Sequence, residues 1–122
     1  MSSATTNLSI VLNSVEDANR AVVFIKDVVA ERTPDYPNEL DKFIADIVVD
    51  GNTVKVEESY SLMSNAFCEL VPQIIRRIAK NDFGAFTAEA WYTSFNSDYE
   101  AEFSAKVFKN GKLKINFSEH DF

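Results

Sequence analysis

Two groups of carboxylates lie close enough along the chain to share work: the neighbours Glu57 and Glu58, and the set Glu89, Glu100 and Glu102. Paired acids support general acid–base catalysis when a pocket shifts their pKa values. Nothing in the sequence builds such a pocket, so a solvated charged face is the expectation. Nucleophilic chemistry has fewer parts still. Cys68 and His120 are the only cysteine and histidine, and a triad would need His120 to reach a rigid nucleophile from what reads as a C-terminal tail. Cys68 stands beside Phe67 and Leu70 and reads as a small buried thiol. No Cys/His pair has metal-ligand spacing, and no EF-hand-like loop is present. Gly51, Gly84 and Gly111 are isolated turn residues, not a phosphate-binding loop. Asn7-Leu8-Ser9 and Asn116-Phe117-Ser118 match the glycosylation pattern by chance. The expectation is therefore no catalytic residues, no metal and no cofactor.

The elements that must carry these residues follow from periodicity. Leu8, Ile10 and Leu12 alternate with smaller or polar neighbours, which predicts a first strand after a frayed segment over 1–6. Ser14, with Asp17 three residues on, predicts a helix start. Ala18, Ala21, Val22, Ile25, Val28 and Val29 then keep one face of a helix over 15–32. Pro34 and Pro37 forbid its continuation. Phe43, Ala45, Ile47 and Val49 alternate as a second strand, Asp50-Gly51 turns, and Val54 and Val56 make a third, so 42–58 reads as a hairpin. A second helix covers 60–80, with one apolar stripe that keeps its phase across Pro72. Three strands end the chain: one from Phe86 to Thr93, one from Tyr99 to Val107 after a turn at Asn96-Ser97-Asp98, and one over 112–118 after Asn110-Gly111.

The order β-α-β-β-α-β-β-β predicts an α+β domain over 1–122. Its first six elements match a ferredoxin-like split βαβ unit, extended by two antiparallel strands, with both helices on one face of the sheet. Hydrophobic residues at 46% and charged residues at 25% describe a chain that folds. Nineteen acids against twelve bases give a net charge of −7. That balance argues against direct nucleic-acid binding, which draws its affinity from Lys and Arg. Residues 1–7 show neither the basic segment nor the apolar run of a secretory leader, and no stretch is long enough to span a bilayer. A cytoplasmic protein is the expectation.

One phase of the final three strands is purely apolar and belongs to the core. The other places Glu89, Trp91, Glu100, Glu102, Ser104, Lys106 and Phe108 on one outer face. Large aromatics with a polar rim anchor protein contacts. The N-terminal segment, the C-terminal residues or the mate in a homodimer would also hide these rings.

The stretch Phe86 to Lys114, FTAEAWYTSFNSDYEAEFSAKVFKNGKLK, resembles the C-terminal half of small ferredoxin-like phage and plasmid proteins, the YubB and Api92-like group. Ala90-Trp91-Tyr92 and Tyr99-Glu100-Ala101-Glu102-Phe103 carry the similarity. The resemblance implies a fold and a mobile-element origin; it implies no activity.

The functional expectation is a non-enzymatic protein-binding module: a small acidic inhibitor or accessory factor that blocks a partner. If that partner binds nucleic acid, the carboxylates would occupy its phosphate sites. Trp91 and Phe108 would be the anchors, and Glu89, Glu100 and Glu102 the charge complements. An immunity protein or antitoxin belongs with this reading. The rival is a small-molecule-binding regulatory domain with a pocket lined by Tyr60, Tyr92 or Tyr99; an enzyme built from acids and tyrosines alone comes last.

Overall fold

A computed structural model describes residues 4–33, 40–60, 62–94 and 99–121. The chain runs β1 (Ala4–Val11), α1 (Val15–Arg32), α2 (Leu40–Ala45), β2 (Ile47–Asp50), β3 (Thr53–Ser59), α3 (Ser64–Ala79), β4 (Phe86–Ser94), β5 (Tyr99–Val107) and β6 (Leu113–Asp121). The strands form one sheet in the order β2-β3-β1-β4-β5-β6, and every neighbouring pair is antiparallel. The fold class is α+β, with a third, short helix that the sequence reading did not foresee.

In β1, Ala4, Thr6, Leu8 and Ile10 are buried and alternate with more open positions. The frayed segment expected over 1–6 is thus overturned at 4–6, where Ala4 pairs with Ser94 and Thr6 with Tyr92. Residues 1–3 lie outside the described residues.

The long helix α1 has the bounds its periodicity predicts. Ser14 Oγ accepts a hydrogen bond from the Asp17 amide at 3.0 Å. This satisfies one of the free N–H groups of the first turn, and Glu16 and Asp17 suit its positive end.

The strand expected from Lys42 is corrected: Leu40–Ala45 is helical, and only Ile47–Asp50 is strand. Leu40 and Phe43 explain this. Both are fully buried, and a three-residue spacing puts them on one side of a helical turn but on opposite faces of a strand. Gly51, at φ +59, then takes the first central position of a two-residue turn between Asp50 and Thr53, the left-handed position glycine fills without strain.

Helix α3 is continuous through Pro72, shorter than the expected 60–80: Leu62 and Met63 precede it. Its stripe Phe67, Leu70, Val71, Ile74, Ile75 and Ile78 is buried. The Phe67 ring lies 5.4 Å from Tyr92 and 5.6 Å from Phe103, which seats α3 on the apolar phase of β4 and β5. The buried residues of α1 belong to the same core. The two long helices also meet: Arg77 donates to both oxygens of Glu31 at 2.7 Å, and Arg32 Nε donates to Gln73 at 2.9 Å.

The last three strands form the expected meander. The turn expected at Asn96-Ser97-Asp98 lies outside the described residues. At the second turn the Gly111 amide donates to the Phe108 carbonyl at 2.9 Å. Gly111 has φ +85 while Lys109 and Asn110 stay at negative φ, the type I turn with a following left-handed glycine of a longer hairpin loop. Among the described residues, no helix is long and apolar enough to cross a membrane.

Candidate functional site

Strand registers assemble the outer face row by row. Asn7 of β1, Trp91 of β4, Glu102 of β5 and Ser118 of β6 stand side by side across the sheet. The next row is Thr5, Thr93, Glu100 and His120, and the row on the other side is Ser9, Glu89, Ser104 and Asn116. The structure therefore brings Glu89, Trp91, Glu100 and Glu102 together on one face. Trp91 keeps 43% of its surface in solvent. Among the described residues, the carboxylates of Glu89, Glu100 and Glu102 have no ion-pair partner, whereas Glu31, Asp17 and Asp50 each meet a cation.

Phe108 shares the face but not the acidic surroundings expected for it. It follows β5 and borders a shallow hollow with Glu89, Lys106 and Lys114. The Lys106 ammonium lies 5.0 Å from its ring centroid, a cation–π contact. Lys114 pairs with Lys106 across the hairpin. The face is thus acidic around Trp91 and basic around Phe108.

His120 also differs from expectation. It lies in β6 opposite Glu100, not in a tail. It remains exposed.

The neighbours Glu57 and Glu58, candidates from the sequence, join this face through a backbone feature that the sequence did not announce. Between the pairs Thr6↔Ser59 and Leu8↔Val56, two residues of β3, Glu57 and Glu58, stand opposite Asn7 alone. This is a β-bulge. Glu58 sits at φ +49, where a side chain is strained and glycine is usual. The Glu58 amide donates to Asn7 Oδ1 at 3.0 Å, which holds the distortion. The bulge and Trp91 wall a hollow of about 620 Å³, lined also by Asn7, Ser9 and Lys55. Lys55 is bound to Asp50 at 3.1 Å, while Glu57 and Glu58 have no cation partner among the described residues. The only trace in the sequence is that the alternation of Val54 and Val56 breaks at Glu58; in the structure the next buried residue is Ser59, one position late. With no family model, curated protein or solved structure matching the chain, this face carries the functional reading by itself.

The three tyrosines considered for a small-molecule pocket are not gathered in one. Tyr92 is core, and its ring lies 6.2 Å from Tyr99, while Tyr60 is 58% exposed and shares no ring contact with them. Tyr99 Oη donates to Glu119 at 2.7 Å. Cys68 Sγ lies 3.6 Å from the same hydroxyl, and with the phenol proton committed to Glu119 the thiol is the donor. Cys68 is half-buried, more open than expected.

Burial, the bond to Glu119 and the thiol together push the Tyr99 phenol well above its ordinary value of 10.0. The sign follows from linkage. The unfolded chain loses this proton near the ordinary value and the folded chain holds it, so Tyr99 stabilises fully below that value and less as pH rises past it. Urea unfolding from pH 8 upward should show stability falling above about 10, and Tyr99→Phe should flatten that fall. An identical slope in the variant would assign the loss to other groups.

Proposed function

We propose that this chain is a non-enzymatic protein-binding module that works through the open face of its sheet. The observation that carries the proposal is an exposed Trp91 set among carboxylates that no cation of the described residues neutralises. A large aromatic left in solvent loses water favourably when covered, and unpaired acids favour a basic surface as the cover. A partner that grips nucleic acid offers such a surface, and the carboxylates would fill its phosphate sites. The protein would then be a small acidic inhibitor or accessory factor that blocks its partner, with Trp91 and Phe108 as anchors and Glu89, Glu100 and Glu102 as charge complements. Immunity proteins and antitoxins work in the same way.

The fold fits this reading. Strand order β2-β3-β1-β4, with α1 and α3 in the crossovers, supports a ferredoxin-like core to which β5 and β6 are added. Both long helices would cover one face and leave the other open. The resemblance of residues 86–114 to the YubB and Api92-like proteins supports a phage or plasmid origin, and with it work in the cytoplasm.

The test is charge reversal. Glu100→Lys/Glu102→Lys should keep the fold, because both side chains point outward. It should weaken partner binding by about tenfold or more and reduce the sensitivity of that binding to salt. Capture from host extract followed by titration of the captured protein measures both, and competition with duplex DNA tests mimicry. Unchanged affinity would sink the proposal.

A second reading, a small-molecule-binding regulatory domain, is favoured by the hollow between Trp91 and the Glu58 bulge. A metabolite that raises the melting temperature of wild type but not of Trp91→Ala would support it.

A further inference from the structure

Strand β6 is the outermost strand at its end of the sheet and pairs with β5 over nine residues, Leu113 to Asp121. Among the described residues no strand lies beyond it. Exposed edges are normally blunted by brevity, by proline or by a central charge. This one is long and has no proline, and Ile115, Asn116, Phe117 and Ser118 at its middle are uncharged. Lys112 and Lys114, charges of the kind that blunt an edge, stand only at its first end.

The helix-facing side of β6 is also incompletely covered. The Phe117 ring packs on Phe103 at 4.6 Å, yet Phe117 remains 46% exposed. A hollow of about 510 Å³ continues from it toward α3, lined by Pro72, Arg76, Ile115 and Phe117. Arg76 is exposed and has no ion-pair partner among the described residues.

We propose that the occupant of this edge is a second copy of the chain, joined β6 to β6 in antiparallel register about a two-fold axis at Phe117. Phe117 is the midpoint of the strand, so this register overlaps all nine residues. It sets Phe117 against Phe117 of the second copy, and Asn116 against its Ser118. Ile115 faces Glu119 of the second copy on the helix side. Because Ile115 and Arg76 line the same hollow, with Glu69, that carboxylate, which accepts from its own Tyr99 through one oxygen, brings its other oxygen beside the unpaired guanidinium, and symmetry repeats the contact. Parallel pairing would instead oppose Lys114 to Lys114 and Glu119 to Glu119, which is unfavourable. A slip of one residue would set the helix-side Phe117 against Asn116 or Ser118 of the second copy, which face outward, and mismatch the two faces. The resulting twelve-stranded sheet leaves Trp91 free, so the inference goes beyond the proposed function and does not rest on it.

Sedimentation velocity over a concentration series tests it. Wild type should move from monomer to dimer. Phe117→Lys, folded by circular dichroism, should raise the dissociation constant by about tenfold or more. Arg76→Glu should weaken the dimer, and Arg76→Glu/Glu119→Arg should restore it. Opposed strand residues have Cα atoms about 4.5–5.5 Å apart, within disulfide reach. Phe117→Cys on a Cys68→Ser background should therefore form a linked dimer on mild oxidation, faster than Ser9→Cys on the same background. A wild type that stays monomeric throughout overturns the proposal. So does a dimer indifferent to Phe117→Lys or to Arg76→Glu, and so does one that Trp91→Ala dissociates, which would place the interface on the outer face.

Discussion

Replacing Phe67 with alanine should lower the free energy of unfolding by about 3–5 kcal/mol, the range for deleting a buried phenylalanine. The ring is fully buried and touches Tyr92 of β4 and Phe103 of β5 at once. Both partners are held from behind, Tyr92 by Tyr99 and Phe103 by Phe117. Strand positions in a paired sheet cannot move inward to fill the space, so a cavity persists. A domain of this size has about 5–15 kcal/mol in total, so the variant should be close to unfolding at body temperature. Urea denaturation gives the number. A loss below about 1 kcal/mol would mean that α3 is held to the sheet by its aliphatic stripe alone.

Trp91→Ala should show the opposite pattern. Its stability should change by less than about 1 kcal/mol, because the ring stands on the open face and makes no ring contact with the core. Its affinity for the partner should fall by about 2–4 kcal/mol, the usual cost of truncating a central aromatic anchor. Calorimetric titration against the captured partner, beside urea denaturation, separates the two effects. If Trp91→Ala destabilised the fold and left binding intact, the ring would be a cover for the bulge hollow, and the face would lose its anchor.

Much of this was legible because the two faces of β4 and β5 differ so sharply. Ala88, Ala90, Tyr92, Ala101 and Phe103 admit only one inward phase, and that phase puts Glu89, Trp91, Glu100 and Glu102 outside together. The start of α1 was equally legible, since Ser14 acts on Asp17 through bonds local in sequence. What escaped depends on partners distant in the chain. Ala4 and Thr6 look like a loose end until β4 lies beside them. Phe43 and Ala45 continue the alternation of Ile47 and Val49 as a strand would, and only the joint burial of Leu40 and Phe43 in the core decides for a helical turn. The surroundings of Phe108 needed the β5–β6 register, which sets Lys114 against Lys106. The polar run 118–121 carries no apolar period, so backbone pairing with β5 drew His120 into a strand. The Glu57-Glu58 bulge lacked the glycine that marks such sites, and it is held instead by Asn7 from another strand.

The position of β1 between β3 and β4 has a consequence for how the molecule comes to exist. The first strand of the described chain is flanked on both sides, and its two neighbours are separated from each other by α3. During synthesis β1 emerges long before β4, so the middle of the sheet stays open on one side until β4 has been made. Such distant pairings make folding slower than in a helical bundle of the same size. Meanwhile a half-sheet ending in an unsatisfied β1 is an adhesive species, and β4, once made, moves that open edge outward until β5 covers it.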